Sequence, residues 1–382
     1  MTGKRNLMFV SSYTGLGGGE TIQLNLFEAL GTDRYQLYLV VPGEGQFAKG
    51  ARQLGVQVHI LPFRGATTWF VPAIWTRLPA ARQLHALVKR LDIDALVSNY
   101  HALPFAAAAG KAARVPVVWY SIGWWFPVRP WQRGFFRRDV TQIAAASASV
   151  RDRWLSHSPV VPPDRVPVIF PGVNPDTFHP GMDGAPIRER LGIGPDVPLV
   201  VMLARFQHVK GHDVFQAMIQ HVHAQVPEAR FAVAGENVFG VRKDEQYKLA
   251  MLTHARQDPV LSRTLTYLGF YEDPRPVIAA ADVVVCPSRF ESLGMVHLEA
   301  MAMARPVVSM NNGGPAETIR DGETGLLVPP EDPAALAERV VRLLRDPALR
   351  ARMGEAGREH ILANFTADQF AARFAQLIDH LL

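Results

Sequence analysis

Residues 290–306 read FESLGMVHLEAMAMARP. The stretch is mostly apolar or small, yet it carries two glutamates, Glu291 and Glu299, eight residues apart. The residues before it, ADVVVCPS, read as a strand, and RPVVSM after it as another, so a helix from about Gly294 to Ala304 lies between two apolar strands. Glu291 then falls in the turn at the carboxyl end of the first strand, where open α/β sheets bind ligands. The leading helical N–H groups, on Gly294, Met295 and Val296, have no intrahelical acceptors. The helix dipole favours an anion there by roughly 0.3–1 kcal/mol, and Gly294 lets the backbone come close. Glu299 lies more than a turn further on, where it could reach a ribose hydroxyl beyond a phosphate. The spacing suits a phosphate held between two hydroxyl acceptors. The same residues equally allow a solvated Glu299 and a Glu291 that only partners the dipole.

Outward from this stretch, short apolar runs alternate with helical patterns. RNLMFVSS, YQLYLVV, VQVHILP, DALVSN and PVVWY read as buried strands, with a helix between the first two whose Ile22, Leu26, Ala29 and Leu30 share a face. A second series restarts with VPLVVMLA, RFAVAG, TLTYLGF, ADVVVCPS, RPVVSM and GLLVP, and one of its helices buries Val214, Phe215, Met218, Ile219 and Val222. Near-continuous apolar strands separated by helices imply parallel βαβ units. The expected fold class is therefore α/β, two tandem Rossmann-like doubly wound domains. Pro- and Gly-rich FPGVNPDTFHPGMDG separates them. The expected boundaries are 1–172, 173–364 and a terminal helix at 365–382. In that helix Thr366 and Gln369 form a capping box, and Phe370, Phe374, Leu377, Ile378 and Leu381 form a stripe that must be buried.

Composition narrows the class. The 382 residues are 48% hydrophobic and 20% charged, which excludes a disordered chain. No apolar run reaches the roughly 18 residues of a membrane span, and the N-terminus reads as a first strand, not a signal peptide. A single cysteine, Cys286, excludes internal disulfides and fits a reducing, cytoplasmic setting. The net charge of +5 is uneven: residues 1–170 hold 19 Lys+Arg against 9 Asp+Glu, whereas the remainder is net acidic. All seven tryptophans precede residue 155. A basic, Trp-rich half suits an anionic or amphipathic partner. Nothing resembles a nucleic-acid reading motif, so no nucleic-acid partner is expected.

Two further loops carry chemistry. ARFQHVKGHD follows strand VPLVVMLA, and its Arg205 and Lys210 are two cations beside helix amides, suited to a diphosphate. YTGLGGGET follows the first strand, where glycines let backbone amides approach phosphate or sugar. It is not a dinucleotide fingerprint: with Gly15 and Gly17 as the first two glycines, Glu20 stands at the third position, and no acid ends the second strand. His221 and His223 diverge on a helix, so no metal site is expected there. Cys286 ends a buried strand and His297 fills a helix face; both read as packing residues.

RFESLGMVHLEAMAMARPVVSMNNGGPAETIRDGETGLLVPPEDPAALAERV resembles the C-terminal region of the retaining glycosyltransferases of family 4, which have the GT-B fold. The resemblance extends to ARFQHVKG, to VIFPGVNPDTFHP and to GGGE, and is loose from about 60 to 140. It implies a nucleotide-diphosphate sugar donor bound by the second domain, chemistry in an interdomain cleft, a C-terminal crossover helix, and neither cofactor nor metal. Arg205 and Lys210 would grip the diphosphate, Glu291 the transferred sugar and Glu299 the ribose. The amides of Gly294, Met295 and Val296 would bind phosphate. Gly17, Gly18 and Gly19 would close the donor site from the first domain, and the base would sit near Phe270 and Tyr271. Where many members carry a histidine, roughly at Ile122, WYSIGWW has none; His101 in SNYHALP is a nearby strand-end histidine that does not match position for position and reads equally as an ordinary loop residue.

The acceptor would be a hydroxyl. WWFPVRPWQRGFFRR, residues 124–138, mixes Trp124, Trp125 and other aromatics with four arginines, Arg129 and Arg133 among them. That mix suits an anionic membrane interface; it equally allows a core-packed loop with solvated arginines. The expectation is a lipid, lipid-linked or surface-polysaccharide acceptor at the cytoplasmic membrane face, with the enzyme peripheral to it. The alternatives are a nucleotide-sugar epimerase or hydrolase of the same fold, or a non-catalytic sugar-nucleotide binding protein.

Overall fold

A computed structural model describes residues 4–65, 79–123, 128–156, 158–237 and 241–382. The chain divides into two compact units, residues 1–172 with 367–382, and residues 173–366. Each is built on one six-stranded, all-parallel sheet.

In the first unit the strands are β1 (Arg5–Val10), β2 (Tyr35–Val41), β3 (Gln57–Ile60), β4 (Ala95–Ser98), β5 (Val117–Ser121) and β6 (Gln142–Ala145), in the order β3-β2-β1-β4-β5-β6. β1, β4 and β5 are buried on both faces because helices cover both. β3 differs from its expectation as a buried strand. It lies at the sheet edge with Gln57 and Ile60 exposed, its apolar Val58 only half-covered. The strand order reverses between β1 and β4, so the helices after these two strands leave on opposite faces and open a crevice at their carboxyl ends.

Helix Ala367–Leu381 belongs to this unit although the sequence places it last. It lies along helix Gly18–Leu30, the first helix of the unit. Its stripe is buried: Phe370, Phe374 and Ile378 are fully covered. Phe374 stacks on Phe9 at 6.0 Å and Phe370 packs on Tyr120 at 5.6 Å. Each such ring removed from water contributes roughly 1.5–3 kcal/mol.

In the second unit β7 (Leu199–Leu203), β8 (Arg230–Ala234), β9 (Leu265–Gly269), β10 (Val283–Cys286), β11 (Val307–Met310) and β12 (Leu326–Val328) are ordered β12-β11-β10-β7-β8-β9. The reversal here falls between β7 and β10, which pair directly. Helix His212–His223 follows β7 and buries Val214, Phe215, Met218, Ile219 and Val222. Helix Met295–Ala302 follows β10, with Gly294 as its N-cap in left-handed backbone, φ 95°. Among the described residues, no helix is long and apolar enough to cross a membrane.

Candidate active site

The carboxyl edge of the second sheet gathers the charged residues singled out in the sequence. Arg205 and Lys210 lie in the loop between β7 and helix His212–His223. Glu291 lies in the turn between β10 and helix Met295–Ala302. The two loops meet across the switch point, where Lys210 Nζ donates to Glu291 Oε1 at 2.6 Å. Ser288 Oγ donates to the same oxygen at 2.7 Å. Burial works against ionisation of Glu291, but the Lys210 charge and these hydrogen bonds outweigh it and hold the carboxyl below its usual range. A carboxylate thus faces an ammonium, with a serine fixing its orientation.

Backbone geometry brings the loops this close. Gly211 adopts φ 73°, and a Cβ there would meet the Pro287 carbonyl at 2.0 Å. Only glycine lets the β7 loop pass against the β10 turn. On the far side of that turn, Gly314 N donates to the Glu291 carbonyl at 2.8 Å, tying the β11 loop to the same point.

Two histidines buttress the site and neither carries charge at neutral pH. His212 stacks on Phe206 at 4.4 Å, and its Nε2 lies 2.9 Å from the Arg205 carbonyl. Burial lowers its pKa to about 4, so the imidazole is neutral and a protonated Nε2 donates to that carbonyl. His297 is buried behind Gly294, with Nε2 3.4 Å from Ser309 Oγ on β11, and burial lowers it to about 4 as well. His297 is thus a buried filler beside the helix start. The hold of His212 on the Arg205 backbone was missed in the sequence; a histidine directly after Lys-Gly is the one signal that could have pointed to it.

Helix Met295–Ala302 begins at the turn, its leading amides on Met295 and Val296 beside Gly294 and at the same edge. Glu299, further along the helix, is 7% exposed, and burial alone raises its pKa to about 7. Phe270 and Tyr271 follow β9 at the same edge; Phe270 is half-exposed, and Arg190 donates to the Tyr271 hydroxyl at 2.6 Å. Cys286 is a buried thiol whose pKa burial raises, consistent with a packing role.

The remaining candidates lie in the first unit. Gly17 caps helix Gly18–Leu30 at the carboxyl side of β1, and Gly19 packs against Ile122 so closely that a Cβ would meet its Cδ1 at 2.6 Å. His101 stands after β4, its ring 5.7 Å from Tyr13 and 4.8 Å from Tyr100, at that unit's own switch point. Trp124 and Trp125, with residues 126 and 127, lie outside the described residues. Residues 128–138 favour the core-packed reading of the stretch. Phe135 and Phe136 are buried, and Phe136 stacks on Trp119 at 5.6 Å. They are core because helix Arg133–Asp139 turns that face inward. Trp131, in the short turn before that helix, is 46% exposed, and on the helix Arg133 is bonded to Ser158 and Arg137 to the Val160 carbonyl. Arg129 caps the short turn at Pro130–Gln132 through its backbone N–H to Gln132 Oε1.

The chain matches known families along most of its length. Residues 16–177 match the model described as Glycosyltransferase Family 4, and residues 184–360 that described as Glycosyl transferases group 1. The GDP-mannose-dependent alpha-(1-6)-phosphatidylinositol monomannoside mannosyltransferase of Mycolicibacterium smegmatis is 33% identical over 272 residues, 68% of each chain. A D-inositol 3-phosphate glycosyltransferase of Streptomyces bingchenggensis is 33% identical over 56% of this chain and 48% of its own. The lipopolysaccharide core biosynthesis glycosyltransferase LpsE of Rhizobium meliloti is 34% identical over 50% of this chain and 52% of its own. In fold, the chain is similar to Anabaena HepE crystallised with UDP-glucose, TM-score 0.84 at 20% identity, covering 98% of this chain and 100% of that one.

Proposed function

The chain belongs to the family 4 glycosyltransferases and takes its sugar from a nucleotide-sugar donor; we propose that it transfers that sugar with retention of anomeric configuration to a hydroxyl of a lipid or lipid-linked acceptor. The observation that carries the reading is the meeting of Lys210, Glu291 and the start of helix Met295–Ala302 at one switch point, with Arg205 on the same loop as Lys210.

In this reading Arg205, Lys210 and the amides of Met295 and Val296 hold the diphosphate, Glu291 accepts from hydroxyls of the transferred sugar, and Glu299 accepts from the ribose. Phe270 and Tyr271 border the base. As the anomeric C–O bond breaks, its electron pair goes to the diphosphate oxygen and the sugar becomes oxocarbenium-like. The cations and amides meet the negative charge as it develops, the kind of preorganised stabilisation that lowers barriers most. The acceptor oxygen bonds to the anomeric carbon on the same face, and its proton passes to the departing phosphate oxygen. No metal or other cofactor takes part in these steps.

The lipid acceptor draws support from two relatives, named for phosphatidylinositol monomannoside and for lipopolysaccharide core. It also draws on the basic first 170 residues and on exposed Trp131 beside Arg129 and Arg133. The enzyme would work as a peripheral protein at the cytoplasmic membrane face. A thermal-shift screen across UDP-, GDP- and ADP-sugars identifies the donor. Product analysis with that donor, in the presence of EDTA, should show a glycosylated acceptor of retained configuration. A free sugar or a C2-inverted sugar instead would exclude transfer. Flotation with neutral and anionic vesicles tests the membrane contact, and equal recovery with both, or with neither, would remove it.

A further inference from the structure

One arginine near the site takes no part in the mechanism above, yet its bonds are concentrated on the loops that carry the site. Arg289 lies two residues before Glu291. Its backbone N–H donates to the Val209 carbonyl at 2.8 Å, and one of its guanidinium nitrogens donates to the His208 carbonyl at 2.8 Å. Both acceptors belong to the loop that ends in Lys210. The guanidinium also grips Asp213, three residues beyond Lys210, through two bonds of 2.9 and 2.7 Å. Its own carbonyl accepts from Asn312 Nδ2 in the loop after β11, and its Nε lies 3.4 Å from Glu331 Oε1 after β12. The loops after β7, β11 and β12 are therefore tied to the β10 turn through one residue, by its backbone and by a side chain that is largely covered.

Asp213 is held in its turn. The Tyr247 hydroxyl donates to Asp213 Oδ1 at 2.7 Å. Burial opposes its ionisation, but the bonds from Arg289 and Tyr247 prevail and lower its pKa to about 2. A forked arginine–carboxylate pair fixes direction as well as distance. A lysine in place of Arg289 would keep the charge and lose the fork.

We propose that Arg289 and Asp213 form a clamp that sets the register of Lys210 against Glu291 across the switch point, so that Arg289 is a positioning residue for sugar transfer. The inference rests on the donor reading given above. The clamp joins the loop that holds the leaving group to the turn that holds the sugar. Its loss therefore falls on the step that needs both at once. Misplacement by about 1 Å can cost on the order of 100-fold in rate while ground-state binding survives.

The test compares Arg289→Gln, Asp213→Asn and the double variant, each assayed well below its own Tm. Turnover is measured with the donor identified by thermal shift, and the Kd of the matching nucleoside diphosphate is measured by calorimetry. The expected result is a kcat lower by about 10- to 100-fold in each single variant, with the diphosphate Kd changed by less than about threefold. The double variant should be no worse than the poorer single, because the two residues act as one unit. Arg289→Lys should be impaired too, and serves if Arg289→Gln does not fold. Wild-type kcat in folded Arg289→Lys and Asp213→Asn, or losses that simply add in the double variant, would overturn the clamp. Failure of wild-type protein to bind any nucleoside diphosphate would instead strike the donor reading, and the two failures are distinguishable.

Discussion

Lys210 Nζ stands 2.6 Å from Glu291 Oε1 although 81 residues separate them in the chain. Both side chains are mostly covered, 24% and 16% exposed. A pair of this kind is costly to break from one side, because the partner left behind is a charge with little water around it.

Lys210→Ala should therefore lose stability in a pH-dependent way. In the wild type the Glu291 pKa is depressed, so its ionisation stabilises the fold at neutral pH. Without the ammonium, burial dominates and the folded pKa rises above the unfolded one. That penalty is absent below the unfolded value and grows as pH rises. The Tm gap to wild type should be wider at pH 8 than at pH 4, and turnover should fall by about 10²–10³. A gap of constant size across this range would argue that the pair does not control Glu291.

Arg205→Ala should weaken nucleoside diphosphate binding by roughly 10- to 100-fold, the range expected for a charge-assisted bond of about 1.5–3 kcal/mol. Calorimetry with the cognate diphosphate measures it. Substitution of Trp124 or Trp125 should leave the same Kd unchanged; an effect as large as that of Arg205→Ala would bring those residues to the donor.

Glu299 gives the opposite pH signature. Burial raises its folded pKa from 4.5 to about 7, so the folded state binds a proton more tightly than the unfolded chain. Its contribution favours the fold below pH 4.5 and is lost as pH rises through 7, a swing of up to about 3 kcal/mol. Glu299→Gln cannot ionise. Thermal melts should show it gaining on the wild type between pH 5 and pH 8, while its affinity for the nucleotide falls. Parallel pH curves for the two proteins would contradict the raised value.

Phe374→Ala should destabilise the first unit by about 3–5 kcal/mol, the usual cost of emptying a buried aromatic site. The ring is fully covered and stacks on Phe9, a residue of β1. Chemical denaturation followed by tryptophan fluorescence reads this unit selectively, since every tryptophan lies before residue 155. A loss below about 1 kcal/mol would mean that the terminal helix is loosely held.

Much of the architecture could be read from the sequence because parallel strands covered on both sides are near-continuous apolar runs. All six strands of the second unit were legible for that reason. β6 was not, because its residues Gln142–Ala145 are alanine-rich and favour a helix locally; only pairing with β5 makes them a strand. β3 was legible as a strand but not as an edge strand, since its neighbours are decided by topology. In the site, the loop positions of Arg205, Lys210 and Glu291 followed from strand ends and helix starts. The partnerships did not. Lys210 with Glu291 and Asp213 with Arg289 each join segments more than seventy residues apart, and nothing local encodes such a pairing. Phe135 and Phe136 were undecided for a related reason: beside arginines they read equally as an interfacial wedge or as core, and only the packing on Trp119 shows where they go.

The second unit is a single uninterrupted span, residues 173–366, whereas the first is assembled from two pieces of chain. During synthesis the two will therefore mature out of order. The span made later has all its parts once residue 366 emerges, while the one begun first waits with the groove beside Phe9 and Tyr120 uncovered until the last helix is released. For that interval the nascent protein presents an unfilled apolar slot.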